Sequence, residues 1–329
     1  MADRLRCAVI GTGSIGIQHL TSLLTCPRAA AVAISETHAQ RAREISERYK
    51  IHRIYSDYRE LLEHPDIDAV IIAVPNNLHA AVAIDALNAR KHVLLEKPMA
   101  TNAKDAAKIV ETAKKMRRVI MVAHHLRFNR QTQLAKGLID RGELGEVYHA
   151  RSFWLRRNGI PRIGSWFTQK KLAGGGCTLD IGCHMLDTCL HLLKEFEVTS
   201  VCAQTYAKFG PRGLGEFDWG KSEIDPKRPC DVEDYSLAML RLKNGQTVLL
   251  ESSWAGFHAS DAREYGIELL GTNGGLSLFP TTRFFRNGPH GYETINLEAP
   301  TVPQSENRLH HFVSCVLDGK RPQIGRAHV

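Results

Sequence analysis

The chain has 329 residues, of which 43% are hydrophobic and 24% are charged, and its net charge is +8 with a pI near 9.1. This composition excludes wholesale disorder and suffices for one large or two ordinary domains with hydrophobic cores. The basic balance suits an anionic ligand, but its densest run, KKMRR at 114–118, accompanies no DNA- or RNA-binding motif, so we expect no nucleic-acid partner.

The eight cysteines form no Cys-x-x-Cys pair, which argues against a zinc ribbon or a dithiol redox centre. A chain of this length also needs no disulfide framework. Glycines break the N-terminal apolar run, and no other run approaches the length of a membrane span. We therefore expect a cytoplasmic protein without a membrane partner.

The first elements predict a nucleotide-binding unit. Leu5–Ile10 predicts a strand, residues 15–24 predict a helix, and between them runs a G-x-G-x-x-G: Gly11, Thr12, Gly13, Ser14, Ile15, Gly16. The first glycine permits a tight turn, the second lets a pyrophosphate approach the backbone, and the third allows close packing. The following helix offers free N–H groups to phosphates, so this stretch predicts a dinucleotide site.

Apolar runs then alternate with helical patterns as far as residue 125. Strands are predicted at 29–35, 68–75, 92–98 and 119–125, and helices at 38–49, 77–91 and 102–116. This alternation predicts a doubly wound parallel sheet, which binds its ligand at the carboxyl ends of its strands. The residues that end strands are therefore candidates: Gly11, Ser35, Pro75, Lys97 and His124.

Two of these strand ends carry specific chemistry. At the end of the second strand, Glu36 can bond the ribose of NAD and would repel the 2′-phosphate of NADP. Ser35, by contrast, is compatible with that phosphate, and His38 or Arg41 could approach it. The pattern therefore favours NAD only slightly over NADP. At EKP, Lys97 can hydrogen-bond a ribose or polarise a substrate hydroxyl, and burial would lower its pKa. A surface lysine before a helix is the alternative.

The second half predicts a different sheet. Strand patterns at 143–157, 198–209, 234–242, 246–254, 264–271 and 275–280 are joined by turn sequences such as KNG and GTNGG, which predicts an antiparallel sheet. Five aromatic or arginine side chains stand in the loop RRNGIPRIGSWFTQKKLAGGG and in the strand before it: Trp154, Arg156, Arg157, Trp166 and Phe167. They could contact a cofactor or a sugar, or they could anchor the loop in the core. The irregular segment at 215–235 is either a loop over the cleft or a subunit contact.

The stretch GGGCTLDIGCHMLD predicts a buried helix with an ionisable stripe. At 3.6 residues per turn Asp180, His184, Asp187 and His191 share one side, and apolar residues occupy most of the rest. Buried charges need partners or a cleft, and we expect the two later members to be structural partners. His124 and His125 alternate in direction along their strand, so we predict no metal site and expect one of them to face the cleft.

Several motifs in order resemble a known family: GTGSIG, VPNNLH, EKP, RFN, GGGCTLDIGCHMLD, DVEDYSLAMLRLKNGQ and LESSW. Over nearly the whole chain they resemble the glucose–fructose oxidoreductase and inositol dehydrogenase family, Gfo/Idh/MocA. The resemblance implies an NAD(P)-dependent oxidoreductase acting on sugars, cyclitols or related polyols. It implies an α/β fold, in which an N-terminal Rossmann domain joins a C-terminal α/β domain with a large open, mostly antiparallel sheet.

The resemblance also selects site residues. It implies the catalytic set Lys97, Asp180 and His184, and a cis bond between Lys97 and Pro98. We expect His184 to be the general acid/base, Asp180 to orient the substrate and support the charge of His184, and Lys97 to hold the reacting oxygen, although His184 and Lys97 could exchange roles. Besides the glycine-rich loop, the expected cofactor contacts are Ser35, Glu36, Pro75, Asn76, His79, Glu96, Lys97, Arg127 and Trp166.

Further expectations concern organisation and alternative functions. We predict a dinucleotide-binding domain at 1–125 and a substrate-binding domain at 126–329, which assembles into a homodimer or homotetramer through its sheet. The tail KRPQIGRAHV stops where family members usually continue into a helix, which implies a truncated C-terminus. A non-catalytic NAD(P)-binding regulator and an NAD-dependent glycoside hydrolase stay open as alternatives.

Overall fold

The computed structural model describes residues 4–220, 222–258, 263–298 and 307–322. Its first sheet is parallel, in the order β3-β2-β1-β4-β5-β6, with the strands β1 (Leu5–Ile10), β2 (Ala29–Ser35), β3 (Ile54–Tyr55), β4 (Ala69–Ile72), β5 (His92–Leu95) and β6 (Ile120–Val122). This order is that of a dinucleotide-binding doubly wound sheet. The predicted fold of the first domain is thus confirmed.

The helices of this domain are α1 (Ser14–Leu24), α2 (Ala39–Tyr49), α3 (Tyr58–Leu62), α4 (His79–Asn88) and α5 (Ala103–Met116). In α5 the buried residues Ala106, Ile109, Val110 and Ala113 recur at helical spacing and form a single apolar face. The Asn102 side chain caps its first turn by accepting from the Asp105 amide. Every residue of β4 is buried, as expected for a strand covered on both sides.

The second domain holds an eight-stranded sheet in the order β16-β15-β14-β13-β7-β12-β11-β9. The pairs are antiparallel except for β7 with β12, so the predicted mostly antiparallel sheet is confirmed. Its strands are β7 (Val147–Arg156), β9 (Val198–Tyr206), β11 (Tyr235–Leu242), β12 (Thr247–Ser253), β13 (Arg263–Gly271), β14 (Gly275–Leu278), β15 (Thr282–Gly288) and β16 (Gly291–Leu297), with the short β8 (Ile160–Pro161) and β10 (Glu216–Phe217) paired separately. The hairpin of β15 and β16 was not predicted.

Helices cover one face of this sheet, namely α6 (Arg130–Asp140) and α8 (Cys183–Leu193), while α7 (Lys170–Ala173) lies in the connecting loop. Met185, Cys189 and Leu192 on α8 are fully buried and share a core with Leu250 and Ile267 of the sheet. On the opposite face Leu237 and Met239 of β11 are exposed, and β9, at the sheet edge, is exposed along its whole length. Within the described ranges, no helix is long and apolar enough to cross a membrane.

The last helix, α9 (Arg308–Leu317), returns to the first domain. Leu309, Phe312 and Val313 are buried in the core around the parallel sheet. The prediction that everything after residue 125 belongs to the second domain therefore fails for α9. The tail at 323–329, on which the expectation of a truncated C-terminus rests, lies outside the described residues.

Candidate active site

A cleft of about 950 Å³ opens between the two domains. Its floor is formed by the carboxyl ends of β1, β2, β4 and β5, and its other wall by residues of β7, the loop after it and the start of α8. The glycine-rich loop, Ser35, Glu36, Pro75, Asn76, Glu96 and Lys97 all line this cleft, as do Trp166, Asp180 and His184. The two domains thus bring most of the predicted site residues into one cavity.

The glycine-rich loop has the geometry that a pyrophosphate requires. Gly11 has φ +86°, and a Cβ on Gly16 would collide with the carbonyl oxygen of Gly11. Helix α1 begins directly after Gly13 without a side-chain cap, and its first turn holds no acidic residue. Its N–H groups and positive dipole end therefore face the cleft, which fits the phosphates of a dinucleotide.

Glu36 follows β2 and lies against the same loop. Its Oε2 accepts hydrogen bonds from the Thr12 amide (3.1 Å) and the Thr12 hydroxyl (2.7 Å), and its Oε1 accepts from the His38 amide. Burial opposes ionisation, but these bonds and Arg41, 3.6 Å away, outweigh it and hold the pKa of Glu36 below its usual value. The residues fit a ribose, whose hydroxyls would donate to this carboxylate.

The loop after β4 connects the two walls of the cleft. The Asn76 side-chain amide donates to the Ala173 carbonyl oxygen of the second domain (2.9 Å). His79 lines the cleft but is buried, and its Nδ1 and Nε2 lie 2.6 and 2.9 Å from the carbonyl oxygens of Pro98 and Val74. Both side chains thus hold the loop in place.

Contacts with Glu233 fix the segment at 174–178 that precedes Asp180 and thereby position Asp180 in the cleft. The Glu233 carboxylate accepts from the amides of Gly176 (2.9 Å) and Thr178 (3.1 Å), and a Cβ on Gly176 would collide with the Glu233 carbonyl oxygen. The chain then makes a π-helical turn at Thr178–Gly182 before α8 begins. Such a turn is often found at functional sites, because it redirects one side chain out of the regular helix.

Lys97 and Asp180 form a half-buried ion pair across the cleft. The Lys97 Nζ lies 2.9 Å from Asp180 Oδ1 and 2.7 Å from the Asp180 carbonyl oxygen. Trp254, fully buried at the end of β12, donates from its Nε1 to Asp180 Oδ2 (2.9 Å). The Lys97–Pro98 peptide bond is cis. Both carboxylate oxygens are therefore engaged, and the lysine has one donor left for a ligand.

The pKa of Lys97 is shifted in the direction opposite to the one expected from the sequence. Burial alone would lower its pKa, as we predicted, but the adjacent Asp180 carboxylate outweighs burial and raises the pKa of Lys97 above its ordinary value. The pKa of Asp180 is lowered by the same partner against the opposing effect of burial. Lys97 is thus a fixed ammonium and a poor proton carrier.

His184 lies in the first turn of α8 and is 7% exposed. Burial and the nearby charge of Lys97 hold its pKa well below the ordinary value, so the imidazole is neutral. Asp180 was expected to support the charge of His184, but its carboxylate oxygens bind Lys97 and Trp254 instead. A neutral imidazole in a cleft is the protonation state that a general base requires.

Glu96 holds the backbone of Lys97 at the end of β5. Its Oε1 lies 2.7 Å from His19 Nε2 and 3.7 Å from Arg308 of α9, and its Oε2 accepts from the Lys97 amide (3.1 Å). Burial opposes ionisation of Glu96, but His19, Arg308 and Lys97 lower its pKa below the usual range. This carboxylate is committed to its protein partners, so it positions the strand end that carries Lys97.

Arg127 does not reach the cleft. It is 1% exposed and forms a bidentate ion pair with Asp187 on α8, with Nε–Oδ2 and Nη2–Oδ1 distances of 2.7 and 2.6 Å. Asp187 also lies 3.6 Å from His124. The prediction of Arg127 as a cofactor contact is therefore corrected, whereas Asp187 is a structural partner as expected. His125, not His124, lines the cleft.

Aromatic side chains form the outer wall. The rings of Trp166 and Phe167 stack with centroids 3.8 Å apart, and Phe167 meets Trp219 edge-on at 5.5 Å. Arg156 lies over the Trp154 ring and lines the cleft, whereas Arg157 donates to the His258 carbonyl oxygen and is not among the lining residues. Several residues of the irregular segment also contribute to this wall, as expected for a loop over the cleft: Phe217, Trp219, Gly220, Ser222, Glu223 and Arg228.

Trp254 and Arg308 were not predicted as site residues. Trp254 stands in the motif LESSW, but no local pattern indicates that its indole nitrogen reaches Asp180. Arg308 lies more than two hundred residues from Glu96 in sequence, and only the return of α9 brings them together. Both depend on long-range packing that a single sequence does not reveal.

Comparisons with known proteins agree with this architecture. Residues 5–124 match the family described as "Oxidoreductase family, NAD-binding Rossmann fold", and residues 132–277 match the "GFO/IDH/MocA C-terminal domain". The D-glucoside 3-dehydrogenase of Escherichia coli is 32% identical over 92% of this chain and 82% of its own length. The levoglucosan dehydrogenase of Pseudarthrobacter phenanthrenivorans is 31% identical over 76% of this chain and 68% of its own length.

A solved structure, "Levoglucosan dehydrogenase, complex with NADH", superposes with a TM-score of 0.84 at 25% identity, covering 98% of this chain and 92% of that one. Both domains are therefore matched in sequence and in fold. The chain belongs to the GFO/IDH/MocA family of oxidoreductases, and its first domain is an NAD-binding Rossmann domain.

Proposed function

We propose that the protein oxidises a secondary alcohol of a sugar or glycoside to a ketone, and catalyses the reverse reduction. The observation that carries this proposal is the Lys97–Asp180 ion pair, 2.9 Å between Nζ and Oδ1, beside a neutral His184 in the cleft that holds the glycine-rich loop. Two relatives named for sugar substrates, a D-glucoside 3-dehydrogenase and a levoglucosan dehydrogenase, support the substrate class.

Each residue has a chemical task in this proposal. His184 accepts the hydroxyl proton, because its imidazole is neutral. Lys97 donates a hydrogen bond to the oxygen as negative charge develops there, and Asp180 fixes the direction of the ammonium. The glycine-rich loop and Glu36 would hold the dinucleotide, which would supply the hydride acceptor when bound. The aromatic wall of Trp166, Phe167 and Trp219 offers apolar surface for the sugar ring.

A substrate panel tests this proposal. Sugars, glycosides, sugar acids and cyclitols are incubated with NAD or NADP, and reduced dinucleotide is followed by absorbance. We expect Lys97→Met and His184→Ala each to lower kcat/KM by about 10²- to 10⁴-fold. The control Lys114→Ala, at an exposed site on α5, should have no effect. Equal turnover in both active-site variants and the wild type would contradict the assignment.

The same panel separates the alternatives. A chromogenic glycoside that is cleaved without net reduction of dinucleotide would favour an NAD-dependent glycoside hydrolase. Dinucleotide binding by calorimetry without turnover of any substrate would favour a regulator. We also propose a cytoplasmic location, since none of the eight cysteines, all of which lie in the described ranges, forms a disulfide.

We further propose that the protein forms a homodimer or homotetramer through the open face of the second sheet. Leu237 and Met239 of β11 lie on this face and are 37% and 56% exposed, and apolar residues exposed in one contiguous region typically mark an interface. Light scattering after size exclusion measures the assembly. Leu237→Lys combined with Met239→Lys should dissociate it, and an unchanged mass would contradict this interface.

A further inference from the structure

His184 has a ring nitrogen that its surroundings do not explain. The Nδ1 atom is buried and makes no hydrogen bond to any residue that the structure describes. Leaving a buried polar atom unpaired costs about 1–3 kcal/mol. A proton-transferring imidazole ordinarily has its second nitrogen held by a partner that fixes the tautomer. The unpaired atom therefore points to a transient partner, such as a proton acceptor.

One neighbouring ring is suited to that role. The His125 ring meets that of His184 edge-on, with centroids 4.7 Å apart and an interplanar angle of 72°. The His124 and Trp154 rings are farther away, at 6.0 and 6.2 Å, and His124 faces Asp187. His125 is exposed, whereas His184 is buried. Of these three rings, that of His125 alone also borders open space outside the cleft.

The open space on the far side of His125 is a second cavity of about 600 Å³. Polar side chains form most of its wall, and they include Gln18, Asn129, Arg130, Gln131, Asn307 and Arg308. Gln18, His125 and Arg308 line both this cavity and the cleft. Because Gln18 is exposed, the cavity gives His125 access to water from outside the cleft.

We propose that His125 relays the proton between His184 and solvent through this second cavity, a role that rests on the proposed alcohol oxidation. The substrate O–H bond breaks as an N–H bond forms at Nε2 of His184. The proton on Nδ1 then passes to His125, through one water or a rotation of the His125 ring, and from there to water. This route stays open when sugar and dinucleotide fill the cleft.

The charges around the pair suit fast transfer. Burial lowers the pKa of His184, and the protein atoms packed around His125 lower its pKa although part of that ring reaches solvent. Lys97 and Arg308 face both rings and act in the same direction. His124 also lowers the pKa of His184, and His19 lowers the pKa of His125. Glu96 acts in the opposite direction and raises the pKa of His125. Both imidazoles are therefore neutral at rest and hold an added proton only briefly.

The test combines kinetics with a measurement that needs no cofactor. His125→Phe keeps an aromatic ring and removes both nitrogens, His125→Gln serves if that variant does not fold, and His52→Phe, at an exposed site, is the control. With a substrate found active for the wild type, we expect kcat to fall about tenfold or more in dilute buffer while KM is unchanged. The solvent deuterium isotope effect should rise, and added imidazole should restore kcat by entering the second cavity.

In the protein without dinucleotide, ¹⁵N NMR should show His184 and His125 titrating as a coupled pair, and the coupling should disappear in His125→Phe. An unchanged kcat and isotope effect in dilute buffer, or a loss that imidazole does not restore, would overturn the relay. Independent titration of the two rings in the wild type would also overturn it. If no substrate is turned over, the proposed function fails, whereas the NMR result still decides whether the two rings exchange protons.

Discussion

Replacing Glu36 with alanine should reverse the choice between NAD and NADP. The carboxylate is buried at the end of β2 and is kept ionised by the Thr12 and His38 bonds. A ribose 2′-phosphate at this strand end would approach the carboxylate directly. The guanidinium of Arg41, 3.6 Å from Glu36, would remain beside the phosphate after the substitution.

The magnitude follows from the separation of the charges. Two unit charges about 4 Å apart interact by about 4 kcal/mol at an effective dielectric constant of about 20. Solvent at the cleft mouth screens part of this interaction, so about 3 kcal/mol of repulsion, or roughly a 100-fold preference for NAD, is expected in the wild type. In Glu36→Ala the repulsion vanishes, and NAD also loses the hydrogen bond to its ribose, which costs about 1.5–3 kcal/mol.

Dissociation constants from quenching of tryptophan fluorescence, together with kcat/KM for both dinucleotides, measure the effect. Glu47→Ala, which removes an exposed carboxylate from α2, the helix that carries Arg41, is the matched control. The double variant Glu36→Ala, Arg41→Ala should lose the gain in NADP affinity, because the remaining cation is gone. A single variant that still prefers NAD by the wild-type factor would refute the electrostatic reasoning.

Three further predictions concern the site and the core. Trp254→Phe removes the indole donor from Asp180, and we expect kcat/KM to fall about 10- to 100-fold while the affinity for NAD is unchanged. Equal losses of kcat/KM and of NAD affinity would indicate general unfolding instead. Arg127→Ala removes the bidentate cation from the buried Asp187 carboxylate and should lower the free energy of unfolding by about 3–5 kcal/mol in urea denaturation, whereas Arg127→Met with Asp187→Leu should recover most of it. The free energy of unfolding should fall as the pH drops below about 6.5, because histidines of the unfolded chain then bind protons, whereas the buried histidines, whose pKa is lowered, stay neutral. Each such histidine contributes up to about 1.4 kcal/mol per pH unit. Urea denaturation at pH 7 and at pH 5 measures the sum of these contributions. The histidines concerned are His19, His79 and His184.

The fold was predictable where local pattern determines structure. In the first domain, periodicity and the glycine-rich loop indicate the strands that become β1, β2, β4, β5 and β6, because buried parallel strands are nearly all apolar. The short β3 and the hairpin of β15 and β16 carry no comparable pattern, since partly exposed strands mix polar and apolar residues. The packing of helix α9 on the first domain depends on contacts distant in sequence, which a local pattern does not indicate.

The fate of the ionisable stripe shows why the site itself was only partly predictable. Helical spacing places Asp180, His184 and Asp187 on one side, which suggests that the carboxylates support the histidine. The structure gives each carboxylate to a different cation, Asp180 to Lys97 and Asp187 to Arg127. A carboxylate bonded to His184 would raise the pKa of its imidazole and favour the charged form. Because both are engaged elsewhere, burial and the ammonium of Lys97 dominate, and His184 stays neutral. The distribution of partners, which sequence spacing does not encode, therefore decides which residue can accept a proton.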